Sequence, residues 1–220
     1  MVAEASTPYG KRLLPPLITH FAKTDPTKVY ASIPRCNEDL AQGFRDITYA
    51  TFANAINKAA WWLEGRLGKS NGGFETFAYL GPRDLRYAIL AVAAIKIGRK
   101  VYLYTPCSSN WGCANRIQGL MPSLLASLEA QTHLAKTTDT RAFLCARPLV
   151  LLTERLQEAI PGSAMIVVPE LEDWLGEEEV SEYEYKKTWE EAREDPFAIY
   201  HTSGSSGLSL GFFLIPIKTW

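Results

Sequence analysis

The sequence predicts an α/β domain built on a mainly parallel sheet with flanking helices. Three observations carry that reading. Apolar runs of strand length alternate with helix-spaced apolar positions, one strand–helix–strand unit is complete within about 30 residues, and a glycine- and hydroxyl-rich loop follows directly on an apolar strand-like run. At 220 residues, with 47% hydrophobic and 11% aromatic content, the chain can bury a sizeable core and is expected to form one domain. It contains no internal repeat of the roughly 20- to 50-residue kind that marks solenoids and propellers.

The first clear element is a helix. Phe52, Ile56, Ala60, Leu63 and Leu67 recur at helical spacing, Thr48 stands where an N-cap belongs and Gly68 where the helix should stop. Residues 74–80 read as a buried strand. Gly81-Pro82-Arg83-Asp84 then makes a turn in which Asp84 can cap the next helix, over residues 85–97, and Gly98 ends it. A strand at 101–104 completes the βαβ unit. Downstream, a helix is expected over 120–134, a short strand over 142–146, a helix over 153–159 and strands over 164–168 and 197–201. Trp61 and Trp62 on the first helix read as core and rim residues.

Two stretches interrupt the alternation. Residues 107–121 are rich in Ser, Asn and Gly and include Trp111, Cys107 and Cys113. An inserted loop, a metal clip, a substrate lid and a retained intron are the readings open there. Residues 170–195 hold 12 of the 24 acidic residues against three basic ones, which leaves the remainder at +8 within a chain of net charge −1. That segment reads as a solvated helix and surface linker, with an acidic docking site for a partner as the sharper alternative. The positive remainder is too diffuse to point to nucleic acid.

Cys36, Cys107, Cys113 and Cys145 form no CxxC pair and have no His-rich companion spacing, so no metal site is expected. Free thiols in a reducing compartment are the favoured reading over a Cys107–Cys113 disulfide. The first residues are polar and lack a secretory pattern, and the apolar run at 208–217 is shorter than the roughly 18 residues a membrane helix needs. A cytoplasmic protein that does not enter membranes is the expectation.

The most informative segment is Tyr200-His201-Thr202-Ser203-Gly204-Ser205-Ser206-Gly207. Glycines let a backbone approach an anion closely, successive N–H groups can converge on it, and Thr202, Ser203, Ser205 and Ser206 add hydroxyl donors. The alternative is a Ser/Gly linker, but apolar segments flank the loop on both sides. It is neither a Walker A loop, since no Gly-Lys-Ser/Thr follows, nor a Gly-x-Ser-x-Gly nucleophile elbow. His201 precedes the loop as a neighbour for nucleotide or substrate, with packing support as its plainer role. His20 and His133 have no companions, and Arg83 and Asp84 read as turn and cap.

Residues 202–207 resemble the phosphate loop of the adenylate-forming superfamily, which includes acyl-CoA synthetases, luciferases and nonribosomal peptide synthetase adenylation domains. Ile47-Thr48-Tyr49-Ala50-Thr51-Phe52 resembles an early Thr-Tyr segment of that family, and residues 95–103 resemble its helix–Gly–strand segment. The flavour is that of fungal synthetase-like proteins that join adenylation to carrier and reductase domains. The resemblance implies an incomplete N-terminal portion of the adenylate-forming large domain over residues 10–207, with 208–220 an apolar tail outside the family pattern.

It further implies ATP with Mg2+, a small carboxylic acid as substrate, and coenzyme A or phosphopantetheine as the thiol acceptor. Thr202, Ser203, Gly204, Ser205, Ser206 and Gly207 would hold the β- and γ-phosphates; no residue here is assigned as catalytic. Where the family carries Pro-Lys after the loop, this chain has Ser209 and Leu210. The family's ribose, adenine, hinge and catalytic-lysine motifs would fall beyond Gly207. The chain therefore reads as a truncated, catalytically incompetent fragment, or alternatively as a non-catalytic nucleotide-binding or protein-docking remnant. Self-association through uncovered sheet edges is expected of it.

Overall fold

The computed structural model describes residues 11–36, 39–104, 127–201, 212–216 and 218–219. In chain order the strands are β1 (Arg12–Leu13), β2 (Val29–Pro34), β3 (Phe44–Thr48), β4 (Thr76–Leu80), β5 (Lys100–Tyr104), β6 (Thr140–Cys145), β7 (Ala164–Val167), β8 (Pro196–His201), β9 (Phe212–Pro216) and β10 (Lys218–Thr219). The helices are α1 (Leu14–Thr24), α2 (Tyr49–Leu67), α3 (Arg86–Lys96), α4 (Leu128–Thr137), α5 (Val150–Glu158), α6 (Leu171–Leu175) and α7 (Trp189–Ala192).

The central sheet has the order β7-β6-β4-β5-β8-β9, with β4 to β8 mutually parallel and β9 antiparallel at one edge. β4 lies in the middle and all five of its residues are buried, as a strand covered on both faces must be. Its side chains alternate between two cores. Phe77 and Tyr79 pack with α2 and α3, among Phe52, Ile56, Leu63 and Leu90, whereas Ala78 and Leu80 face Leu134 of α4 and Leu156 of α5.

The connections explain that division. Leaving β4 through α3 the chain steps to β5, and then through α4 it returns past β4 to β6. The direction reverses and the covering helix changes face, as crossovers of constant hand require. The reversal makes the carboxyl ends of β4 and β5 the topological switch point, where ligands of open α/β sheets bind.

Local chemistry sets the element ends. Thr48 Oγ1 accepts from Thr51 N–H at 3.2 Å and caps α2, and Gly68 stops it at φ 73°, a conformation that costs glycine little. Helix α1 and the β2–β3 hairpin were not expected from sequence. Pro15 and Pro16 open α1 within its first turn, where the missing N–H costs nothing. β2 and β3 form an antiparallel hairpin whose Tyr30 stacks on Phe52, ring centroids 3.7 Å apart.

Two expectations are corrected. The helix expected over 120–134 is α4 at Leu128–Thr137, capped by Ser127 accepting from Ala130 N–H at 3.2 Å. A serine at the N-cap satisfies an orphan N–H; residues 120–126 of the expected span lie outside the described residues. The acidic stretch is not a solvated helix with a linker. It is the crossover from β7 to β8, with only short α6 and α7 at its ends and an extended strap laid across α2 between them. The segments 107–121 and 202–207 lie outside the described residues. From the apolar tail, β9 pairs with β8 and β10 with β1.

Candidate functional site

The carboxyl edge of the sheet gathers the residues that follow β4, β6 and β7, together with the end of β8. β4 runs directly into Gly81, where a Cβ would sit 2.0 Å from the Tyr79 hydroxyl, so no other residue fits without moving that ring. The Tyr87 hydroxyl donates to Gly81 O at 2.8 Å and fixes the turn from the helix side. Burial pushes both phenols well above the ordinary tyrosine range, so both remain protonated. The Tyr79 hydroxyl has no hydrogen-bond partner among the described residues.

Asp84 performs the capping role read from sequence, one residue ahead of the helix boundary: its Oδ1 accepts from Arg86 N–H at 2.9 Å. The same carboxylate holds the Arg86 side chain, with Nε at 3.0 Å and Nη2 at 2.7 Å from Oδ2. Nη1 of Arg86 reaches across to β7's end, donating to Pro169 O at 3.3 Å and Glu170 Oε2 at 3.1 Å. The Arg86 and Asp84 side chains are 5% and 10% exposed. Burial works against the guanidinium's charge, and its bonds to Asp84 together with the charges of Tyr79, Asp84 and Glu170 outweigh that, leaving its pKa raised. With its donors so committed, Arg86 ties the β4 turn to the end of β7 and is not a free anion ligand. Sequence reasoning missed it, because Glu170 lies 84 positions away and no local pattern marks the pair.

A cavity of about 520 Å³ lies beside β7 and is lined by Trp62, Arg66, Arg147, Val167, Pro169 and Asp173 among others. Three strands separate β7 from β8, so this groove is not where residues 202–207 emerge. Those residues follow β8, whose last residue is His201. β8 pairs with β5 through Val101↔Ala198 and Tyr102↔Ile199, so the chain leaves the carboxyl edge next to the β4/β5 switch point. The backbone of His201 pairs with Phe212. Thr202, Ser203, Gly204, Ser205, Ser206 and Gly207 lie outside the described residues.

The remaining single-residue readings resolve simply. His20 packs edge-on against Phe21, and His133 is exposed on α4. Trp61 is a rim residue at 44% exposure and Trp62 packs edge-on against the buried Trp174. Cys145 is a buried thiol in β6. Among the described residues there is no group of three or more His, Cys, Asp or Glu that could hold a metal ion, and no helix long and apolar enough to cross a membrane.

No family model matches the chain. It is 33% identical over 205 residues, 93% of its length, to the isocyanide synthase-NRPS hybrid crmA of Aspergillus fumigatus. It is 30% identical over 208 residues, 94% of its length, to a carboxylic acid reductase of Neurospora crassa. The matches take up 12% and 18% of those two proteins, so the chain spans less than a fifth of either relative. Among solved structures, the Klebsiella oxytoca NpsA N-terminal subdomain in complex with 3-hydroxybenzoyl-AMSN superposes with TM-score 0.60 at 16% identity, covering 94% of this chain and 41% of that one. The anthranilate CoA ligase AuaEII in complex with anthranoyl-AMP gives TM-score 0.62 at 12% identity, covering 96% and 35%. The chain thus shares its fold with the N-terminal part of these two solved proteins, and its relatives in sequence are a fungal isocyanide synthase-NRPS hybrid and a fungal carboxylic acid reductase.

Proposed function

We propose that this chain supplies the ATP-phosphate-binding part of a domain that activates a carboxylic acid as an acyl adenylate. One observation carries the reading: β8 ends at His201 on the carboxyl edge of a parallel sheet, beside the β4/β5 switch point, and Thr202 to Gly207 follow it directly. In this reading residues 10–207 are the adenylation part, 208–220 stand outside the family pattern, and the cytoplasm is the compartment.

The chemistry asked of the loop is positional and electrostatic. A carboxylate oxygen attacks the α-phosphorus of ATP; the bond from that phosphorus to the bridging oxygen breaks, and pyrophosphate leaves with the electron pair. Backbone N–H groups of the glycine-rich stretch and the hydroxyls of Thr202, Ser203, Ser205 and Ser206 donate to the β- and γ-phosphate oxygens, where negative charge grows. Mg2+ bound with the triphosphate would supply further neutralisation of that charge. His201 lies at the loop's base as a neighbour of nucleotide or acid. The adenylate then passes to a thiol, on coenzyme A or a carrier-borne phosphopantetheine.

The test is equilibrium titration of the chain with Mg·ATP and, separately, with AMP. The double variant Ser203→Ala/Ser205→Ala should weaken ATP binding by about ten-fold or more through lost hydroxyl donors, and leave AMP binding nearly unchanged. ATP binding that is absent, or indifferent to the double substitution, overturns the reading.

A further inference from the structure

The crossover from β7 to β8 is held in an unusual way: helix side chains grip its main chain. Asn54, Asn57, Lys58 and Trp61 lie on one polar stripe of α2, spaced three, four and seven positions from the first, which is one helix face. Asn54 clamps the strap with both ends of its amide, Nδ2 donating to Glu178 O at 2.8 Å and Oδ1 accepting from Val180 N–H at 3.1 Å. Asn57 Oδ1 accepts from Tyr183 N–H at 3.3 Å and from Lys96 Nζ at 2.8 Å, while Lys96 donates to Tyr183 O at 2.9 Å. Lys58 Nζ donates to Gly176 O at 3.0 Å and Trp61 Nε1 to Ser181 O at 2.9 Å. Side-chain contacts are fewer: Lys23 pairs with Glu182 at 2.7 Å, the Tyr183 hydroxyl bonds Glu64, and the Tyr183 ring meets Trp61 edge-on at 4.6 Å.

We propose that α2 carries a surface that reads an extended main chain, and that residues 176–183 occupy it as a cis-bound peptide, a latch able to open while the cores stay closed. The strap between α6 and α7 has no helix or strand of its own, and Gly176, Glu177, Glu178, Glu179, Ser181 and Glu182 are exposed. Its attachment therefore rests mainly on individually modest hydrogen bonds, with Tyr183 packed against the rim of the core, whereas the elements on either side are held by buried apolar contacts. Trp174 sits buried against Trp62 before the strap, and Ala192 is buried beside Leu13 and Ile95 after it. Because the strap delivers the chain to β8, docking constrains where β8 begins. Any bearing on phosphate binding rests on the function proposed above; the latch itself does not.

The test is hydrogen–deuterium exchange on the full chain, resolved to peptides covering 176–187, β4 and α3. Asn54→Ala and Asn57→Ala should each speed exchange at Val180 and Tyr183 by about ten-fold while β4 and α3 hold their protection. Asn57→Asp should restore slow exchange, since a carboxylate accepts from the same two donors. Asn54→Asp should not, because the donor to Glu178 O is lost. Trp61→Phe, which keeps an aromatic ring beside Tyr183 and removes the indole N–H, provides a milder variant should Asn57→Ala not fold. Unchanged exchange in the strap, or loss of protection in strap, β4 and α3 together, overturns the proposal. ATP titration is a separate readout, so a failed latch leaves the functional reading standing, and the reverse.

Discussion

Two crossovers in the same sheet are built on opposite principles. From β4 to β5 the chain passes through α3, which buries Ile89, Leu90, Val92, Ala93 and Ala94 against β4 and α2. From β7 to β8 it passes through an acidic, mostly exposed strap that α2 and α3 grip by its backbone. The first connection is held by area removed from water, the second by named hydrogen bonds. Packing of the first kind couples a segment to the whole fold; bonding of the second kind lets a segment come and go alone.

The largest effect should come from the apolar crossover. Leu90 is fully buried between α2, α3 and the sheet, so Leu90→Ala should cost about 2–5 kcal/mol of unfolding free energy through lost transfer energy and a residual cavity. Denaturant titration checks it. A loss below about 1 kcal/mol would mean that the α3 crossover is no better packed than the strap.

Next comes the ion-pair tie between the two crossovers' starting points. Replacing Arg86 with Met leaves Asp84, 10% exposed, without its partner, and should destabilise by about 3 kcal/mol because a buried carboxylate is then uncompensated. Adding Asp84→Asn should recover part of the loss. No recovery in the double variant would show that Arg86 acts through packing of its stem.

A pH series sharpens the contrast from the strap side. Burial lowers the Lys96 amine to about 8 from 10.5, with Glu182 raising it and Lys23 lowering it. A folded value below the unfolded one means that the folded state binds fewer protons between the two. This group therefore makes stability rise as pH climbs from about 8 to 10.5, and below that window its burial is a standing cost. The difference in unfolding free energy between the wild type and Lys96→Met should shift in the wild type's favour across that window. A flat difference would mean that Lys96 is solvated and its grip on Tyr183 O is loose.

How far each crossover is legible in the sequence follows from the same distinction. The α2 stripe from Phe52 to Leu67, the Gly81–Asp84 turn, the α3 run and Gly98 all announce themselves, because apolar periodicity, caps and positive-φ glycines are local signals. The strap's grip has no local signal: Asn54 and Asn57 look like ordinary polar positions on α2, and their partners lie 126 residues away. The β2–β3 hairpin was missed for a related reason, since its strands are short and half exposed, and little apolar alternation marks them. At the candidate site, the loop's glycines and hydroxyls are visible in sequence, and so is its position after a strand. The Arg86–Glu170 tie is not, because two strands' ends meet only once the sheet forms.

The smallest expected effect is the most telling about the acidic run. Composition singles out Glu177, Glu178 and Glu179 as the densest charge in the chain. All three are exposed, none makes an ion pair among the described residues, and what α2 holds at this point is the carbonyl of Glu178, not its carboxylate. Exposed charges without a fixed partner contribute little, so replacing all three with Gln should change stability by no more than about 0.5 kcal/mol. Strap exchange should likewise stay slow, since every main-chain bond survives the change. If the triple variant instead loosens the strap as much as Asn54→Ala does, side-chain charge is what holds it, and the difference between the two crossovers becomes one of degree.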